Sequence, residues 1–75
     1  MSGVRIKANE PTNYFTGSLD NVFASNLLHS NYFGKVLSYN GQVIEATPLP
    51  GIIGSLCSIF ARTNDEFQGE LVGVG

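Results

Sequence analysis

Histidine and cysteine occur once each, at His29 and Cys57, so one thiol–imidazole pair is all the chain can offer. A cysteine nucleophile needs an imidazole within hydrogen-bond reach, so that thiolate forms at neutral pH. His29 falls at the end of one element and Cys57 in the middle of a strand pattern. The two read as a solvated histidine and a small buried thiol. A metal centre takes three or four ligands at suitable spacing, and the sequence holds no such set. Asp65 and Glu66 are consecutive in a polar stretch, which sends their carboxylates into water rather than around a Ca2+ ion. The glycines of Gly51-Ile52-Ile53-Gly54-Ser55 lack the Gly-Lys-Ser/Thr ending that reaches phosphate and Mg2+ in a P-loop. Lys35 does not stand at a hairpin tip, where a carrier lysine belongs. No catalytic, metal-binding or cofactor-binding residue is assigned.

Composition narrows the partners. The chain has 75 residues, a net charge of −2 and only 13 % charged residues against 43 % hydrophobic ones. That is one small domain whose surface is largely Asn, Ser, Thr and Gly. Arg5, Lys7, Lys35 and Arg62 are scattered, whereas phosphate binding relies on clustered cations, so no nucleic-acid partner is expected. An oligonucleotide-binding barrel would set basic residues around its exposed aromatics, and Tyr39, Phe60 and Phe67 have almost none nearby in sequence. A single cysteine excludes an internal disulfide. No apolar run approaches the roughly 18 residues of a spanning helix. The start lacks a basic-then-apolar signal pattern, so a reducing, cytoplasmic setting is expected.

The elements that must position these residues are short. Val4, Ile6 and Ala8 alternate with Arg5 and Lys7, which makes one short strand, and Glu10-Pro11-Thr12-Asn13 ends it. Residues 1–17 read otherwise as a flexible lead-in. From Ser18 the period changes. Leu19, Val22, Phe23 and Leu27 fall at i, i+3, i+4 and i+8, which predicts an amphipathic helix over 18–31 with Ser18 as N-cap. Beyond it lies the barrel region, 34–75. Asn40-Gly41 is a preferred two-residue type I′ loop, setting Tyr39 opposite Gln42 and Leu37 opposite Ile44. The adjacent apolar pairs Val36-Leu37 and Val43-Ile44 imply that both faces of this hairpin are at least partly covered.

Thr47 to Gly54 forms a corner, because Pro48 and Pro50 cannot donate ladder bonds and Gly51 and Gly54 permit a sharp turn. Ser55–Phe60 follows as a strand with Cys57 and Ile59 on one face and Leu56, Ser58 and Phe60 on the other. Gln68–Val74 is the last strand, with Gly73 at a bulge or close approach. The expected fold is all-β: a small, incomplete barrel of hairpins preceded by one short helix. Four strands would leave two open edges, so the chain is expected to be truncated before its last strands and to self-associate.

Four stretches in order carry a family resemblance: Gly34-Lys35-Val36; Gly41 with Val43-Ile44-Glu45-Ala46; Ile53-Gly54-Ser55-Leu56-Cys57-Ser58-Ile59; and Gly69-Glu70-Leu71-Val72-Gly73. Together they resemble the N-terminal β-barrel of the flagellar and type III secretion export ATPases, relatives of the rotary ATPase α and β subunits. The likeness covers about 40 residues. Ser55 stands where the family usually has Glu, and Val74 where it commonly has Phe. Glu45-Ala46-Thr47 leans towards the flagellar members.

The resemblance implies a non-catalytic assembly domain of a cytoplasmic ATPase that energises protein export beside the membrane apparatus. It would form the crown of a homohexameric ring, with ATP and Mg2+ held by a core that follows Gly75. It also implies that the segment before the barrel docks a stator or negative regulator. Leu19, Val22, Phe23 and Leu27 would be that face, or they would pack on their own barrel; the sequence leaves both open. The competing function is a stand-alone barrel that binds a protein through a sheet edge.

Overall fold

Val4, Ile6 and Ala8 are buried while Arg5 and Lys7 face solvent, and this alternation supplies the strand that closes the fold. The computed structural model of the chain describes residues 3–9, 19, 21–60 and 66–74. Six strands are formed among these residues: β1 Val4–Ala8, β2 Phe23–Asn26, β3 Gly34–Asn40, β4 Val43–Ala46, β5 Leu56–Phe60 and β6 Glu66–Val74. They make a closed barrel in the order β1-β4-β3-β2-β5-β6, and every neighbouring pair is antiparallel. The all-β expectation therefore holds, but the barrel is not incomplete. β1 lies between β4 and β6, pairing Ile6 with Ile44 on one side and with Leu71 on the other. Both expected open edges are closed by strands from the first 26 residues, a region set outside the barrel by the sequence reading.

The helix expected over 18–31 is not seen. Residues 23–26 are β2, and Leu27–His29 makes a single 3-10 turn. The expected cap Ser18, the 10–17 part of the lead-in and Asp65 lie outside the described residues. A stripe at helical spacing needs a surface to lie on, and a short helix is marginal alone. In the barrel the same residues gain more by pairing: β2 takes β5 along its full length and β3 at Phe23 and Ala24. Tertiary context has overridden the local period.

The core is the barrel interior. Ile6, Ile44, Ile59 and Leu71 are fully buried and come from four different strands, with Val22 and Val36 beside them. On the wall outside, Arg5 stands opposite Glu45 and Lys7 opposite Glu70, pairings of opposite sign worth about 0.2–1 kcal/mol each.

The β3–β4 hairpin differs from expectation by one position. Asn40 pairs with Val43 and Tyr39 with Ile44, so the loop is Gly41-Gln42 rather than Asn40-Gly41. Gly41 has φ 64° and Gln42 is not at positive φ, which is the type II′ pattern with glycine first. A shift between Val36 and Ser38 then turns Leu37 outward at 58 % exposure. On the outer face of this hairpin Leu37 is more than half exposed and Val43 about one-third, so that face is covered only in part. At β6 the register slips between Arg5 and Ile6, leaving Val72 as the extra residue of a bulge. Gly73, beside that bulge, lies directly under the Arg5 guanidinium.

Candidate interaction surface

Antiparallel order sorts the connections between two ends of the barrel. One end gathers residues 27–33 and 47–55, together with the start of β1 and the end of β6. The other carries Asn9 and the Gly41-Gln42 loop. Among the described residues the two ends are chemically unlike, and the first holds the most developed site.

That site begins at Asn26, the last residue of β2. Asparagine suits an N-cap because its side-chain oxygen can accept from a backbone N–H that has no helical partner. Asn26 Oδ1 accepts from the Leu28 amide at 2.8 Å and starts the 3-10 turn. Its Nδ2 donates to Ser55 Oγ at 2.7 Å, and the Ser55 hydroxyl donates to the Ile52 carbonyl at 2.5 Å. The Ser55 amide donates to the same carbonyl at 3.0 Å, while Gly54 N–H donates to Leu71 O and Leu71 N–H to Ser55 O. Asn26 is fully buried and has both of its polar atoms engaged. Gly51 is required beneath it: a Cβ there would run into the Asn26 amide, and its φ of 151° disfavours any side chain.

The Thr47–Gly54 corner thus crosses the barrel mouth. Thr47 Oγ1 accepts from Lys35 N–H at 2.8 Å, Leu49 is buried in the core, and Gly51 reaches Asn26 and Leu71 on the far side. Pro48 is exposed and Pro50 half-buried along this crossing. Above the crossing, apolar side chains stand in water: Leu28 and Ile52 at 72 % exposure, with Ile53, Leu27 and Leu56 about half exposed.

The four residues of the expected docking face do not share a face. Val22 is buried in the core and Leu19 packs against it, whereas Phe23 and Leu27 point outward. Leu27 joins the apolar end. Phe23 sits on the wall opposite Lys35 and Phe60, and the Phe60 ring meets Phe33 edge-on at 6.1 Å. Gly41, Gly51 and Gly54 lie at the turn or at the crossing, whereas Asn40 ends β3 in the ladder opposite Val43.

Chemistry elsewhere is sparse. His29 is exposed in the 3-10 turn and Cys57 is buried in β5, where loss of hydration pushes its thiol above the ordinary range. Ser25 and Ser58 are opposite each other on β2 and β5, both buried, and neither hydroxyl has a hydrogen-bond partner. A shallow depression of about 320 Å3 at the opposite end is lined by Lys7, Ala8, Asn9, Gln42 and Glu70, which offer no nucleophile beside a base. No group of three potential metal ligands occurs among the described residues. No helix there is long and apolar enough to cross a membrane.

Sequence reasoning missed the Asn26–Ser55 brace. Its signal was present, since Asn26 precedes Leu27-Leu28-His29 as a cap would, but the helical stripe had claimed that stretch. No family model, curated protein or solved structure matches the chain. The likeness to export ATPase barrels rests on the residues quoted for it.

Proposed function

We propose that this chain is a non-catalytic assembly domain of an ATPase that energises protein export, of the flagellar or type III secretion kind. The observation that carries the reading is that the resembling stretches lie on the skeleton of a closed antiparallel barrel rather than around a cleft. Gly34-Lys35-Val36 opens β3, Val43–Ala46 is β4, Leu56–Ile59 lies in β5 and Gly69–Gly73 in β6. Each supplies ladder, bulge or turn, which suits a scaffold for chemistry located elsewhere. In this reading barrels stand side by side as the crown of a hexameric ring. ATP and Mg2+ belong to a following core, and a cytoplasmic stator or regulator docks on the ring at the membrane apparatus.

The departure at Ser55 acquires a role here. Where the family usually places a Glu, the short hydroxyl fits between Asn26 and the Ile52 carbonyl. A longer carboxylate would have to leave that position.

The test is the reading frame beyond codon 75 together with hydrolysis by its product. The proposal expects a Gly-x-x-x-x-Gly-Lys-Ser/Thr motif on a strand–loop–helix segment, and ATP hydrolysis that rises with assembly. A frame without that motif, or a product that hydrolyses no ATP, contradicts it.

A further inference from the structure

We propose that the apolar end of the barrel is a self-pairing surface, on which a second copy of this chain docks about a two-fold axis. Three observations converge on that occupant.

The first is charge. Residues 26–34 and 47–60 contain no Asp, Glu, Lys or Arg, and His29 is the only side chain there able to carry a positive charge. Electrostatic complementarity between different proteins is written in charges of opposite sign, and these two runs have none to write it with; Glu70, exposed across the ladder from Leu56, stands at the edge of the patch. The runs also lack the cations that attract an anionic lipid surface. A copy of itself brings the two charge-free runs together without like-charge conflict, even though the whole chain is at −2.

The second is area. Leu27, Leu28, Ile52, Ile53 and Leu56 leave on the order of 500 Å2 of apolar side chain exposed, the upper range for a patch on a monomer. Two copies would bury on the order of 1,000 Å2 together, the lower bound of a specific interface.

The third is form. The patch is two short apolar rows, Leu27-Leu28 and Ile52-Ile53, fastened to one another by the Asn26–Ser55 bond. In an isologous interface, if residue i of one copy touches residue j of the other, then j touches i. Two unlike rows on one rigid base satisfy that rule when each copy's first row lies against the other's second. Because the base is hydrogen-bonded before association, little ordering is left to oppose binding.

This contact differs from the side-by-side packing of a ring and does not depend on it. The test is sedimentation velocity on the 75-residue chain over a range of micromolar concentrations, with circular dichroism to verify folding. Wild type should show a monomer–dimer equilibrium, and Leu28→Glu or Ile52→Lys alone should weaken it about thirtyfold or more. A one-to-one mixture of the Leu28→Glu and Ile52→Lys chains should restore the dimer. The introduced carboxylate of one chain then meets the introduced ammonium of the other, while the wild-type rows meet on the other side. Val43→Glu, on the barrel wall, should leave the dimer intact. A wild type that stays monomeric overturns the proposal, as does a dimer untouched by either charge or a mixture that fails to pair. So does a hexamer that survives both variants, which would favour the ring contact alone. Co-sedimentation of the wild-type monomer with zwitterionic phosphatidylcholine vesicles would instead assign the end to a lipid interface.

Discussion

The two ends of the barrel are made by the same strands and share one core, yet the described residues at each differ in charge, polarity and bracing. At one, Leu28 and Ile52 stand 72 % exposed over a fully buried asparagine whose side chain ties two connections together. At the other, Asn9 and Gln42 meet water and the β3–β4 loop turns in two residues. There the hydrogen bonds run along strands: Ala8 N–H donates to Gln42 O and Asn9 N–H to Gln68 O. The polar end completes a ladder. The apolar end has a structure of its own, with a chain segment crossing the mouth and a side-chain network holding it. Exposed apolar groups on an internally braced base are what the proposed self-pairing would use, whereas polar turns need only end the strands.

The sharpest way to break the contrast is to remove the base from under the apolar end. Gly51→Val would drive a side chain into the Asn26 amide and force an unfavourable φ, at a cost of about 3 kcal/mol or more in urea denaturation. Asn26→Ala would leave the Leu28 amide without its acceptor and take from Ser55 Oγ the donor it accepts from, which costs about 2 kcal/mol. Gln42→Ala at the opposite end should stay within about 0.5 kcal/mol of wild type by the same measurement. Equal losses at the two ends would erase the distinction.

Between the ends, the β2–β5 wall carries the Ser25–Ser58 pair. Buried hydroxyls without partners cost desolvation for no return, so the Ser25→Ala, Ser58→Ala double variant should raise stability by about 1–2 kcal/mol, read as a higher urea midpoint. A fall would mean that these hydroxyls are engaged. Beside them Cys57 gives the smallest effect. Its folded thiol ionises above the unfolded one, so the native state keeps its proton while the unfolded state loses it. Stability from this group is complete below the unfolded thiol range and declines as pH rises through the gap between the two values. Cys57→Ala should flatten that alkaline decline, measured by thermal melts across the thiol range. In the native protein, Ellman's reagent should label Cys57 only at the rate of unfolding.

Much of the wall was legible in the sequence because alternation is read the same way whatever a strand pairs with. Val4-Ile6-Ala8 and Cys57-Ile59 both went where their period put them. β2 was illegible for the opposite reason. Its Phe-Ala-Ser-Asn has one large apolar residue, which faces out, and two buried polar residues, so no period of two exists to be seen. The neighbouring leucines and valine supplied a period of 3.6 by coincidence. The hairpin loop slipped by one because Gly41 serves either turn, and the choice was made at a distance. With the loop at Gly41-Gln42 and the shift beside Leu37, Val36 and Ile44 both enter the core. The candidate surface was half visible. The charge-free runs at 26–34 and 47–60 are plain in the sequence, but only closure by β1 and β2 brings 27–33 and 47–55 to the same end.

Amide hydrogen exchange followed by NMR tests this account most directly, at the Leu28 and Gly54 amides of the wild type and of Asn26→Ala. A braced apolar end predicts exchange slowed on the order of a hundredfold at both amides in the wild type, with that protection lost at Leu28 in the variant. Exchange at unprotected rates in the wild type would contradict it, because the two apolar rows would then have no common base.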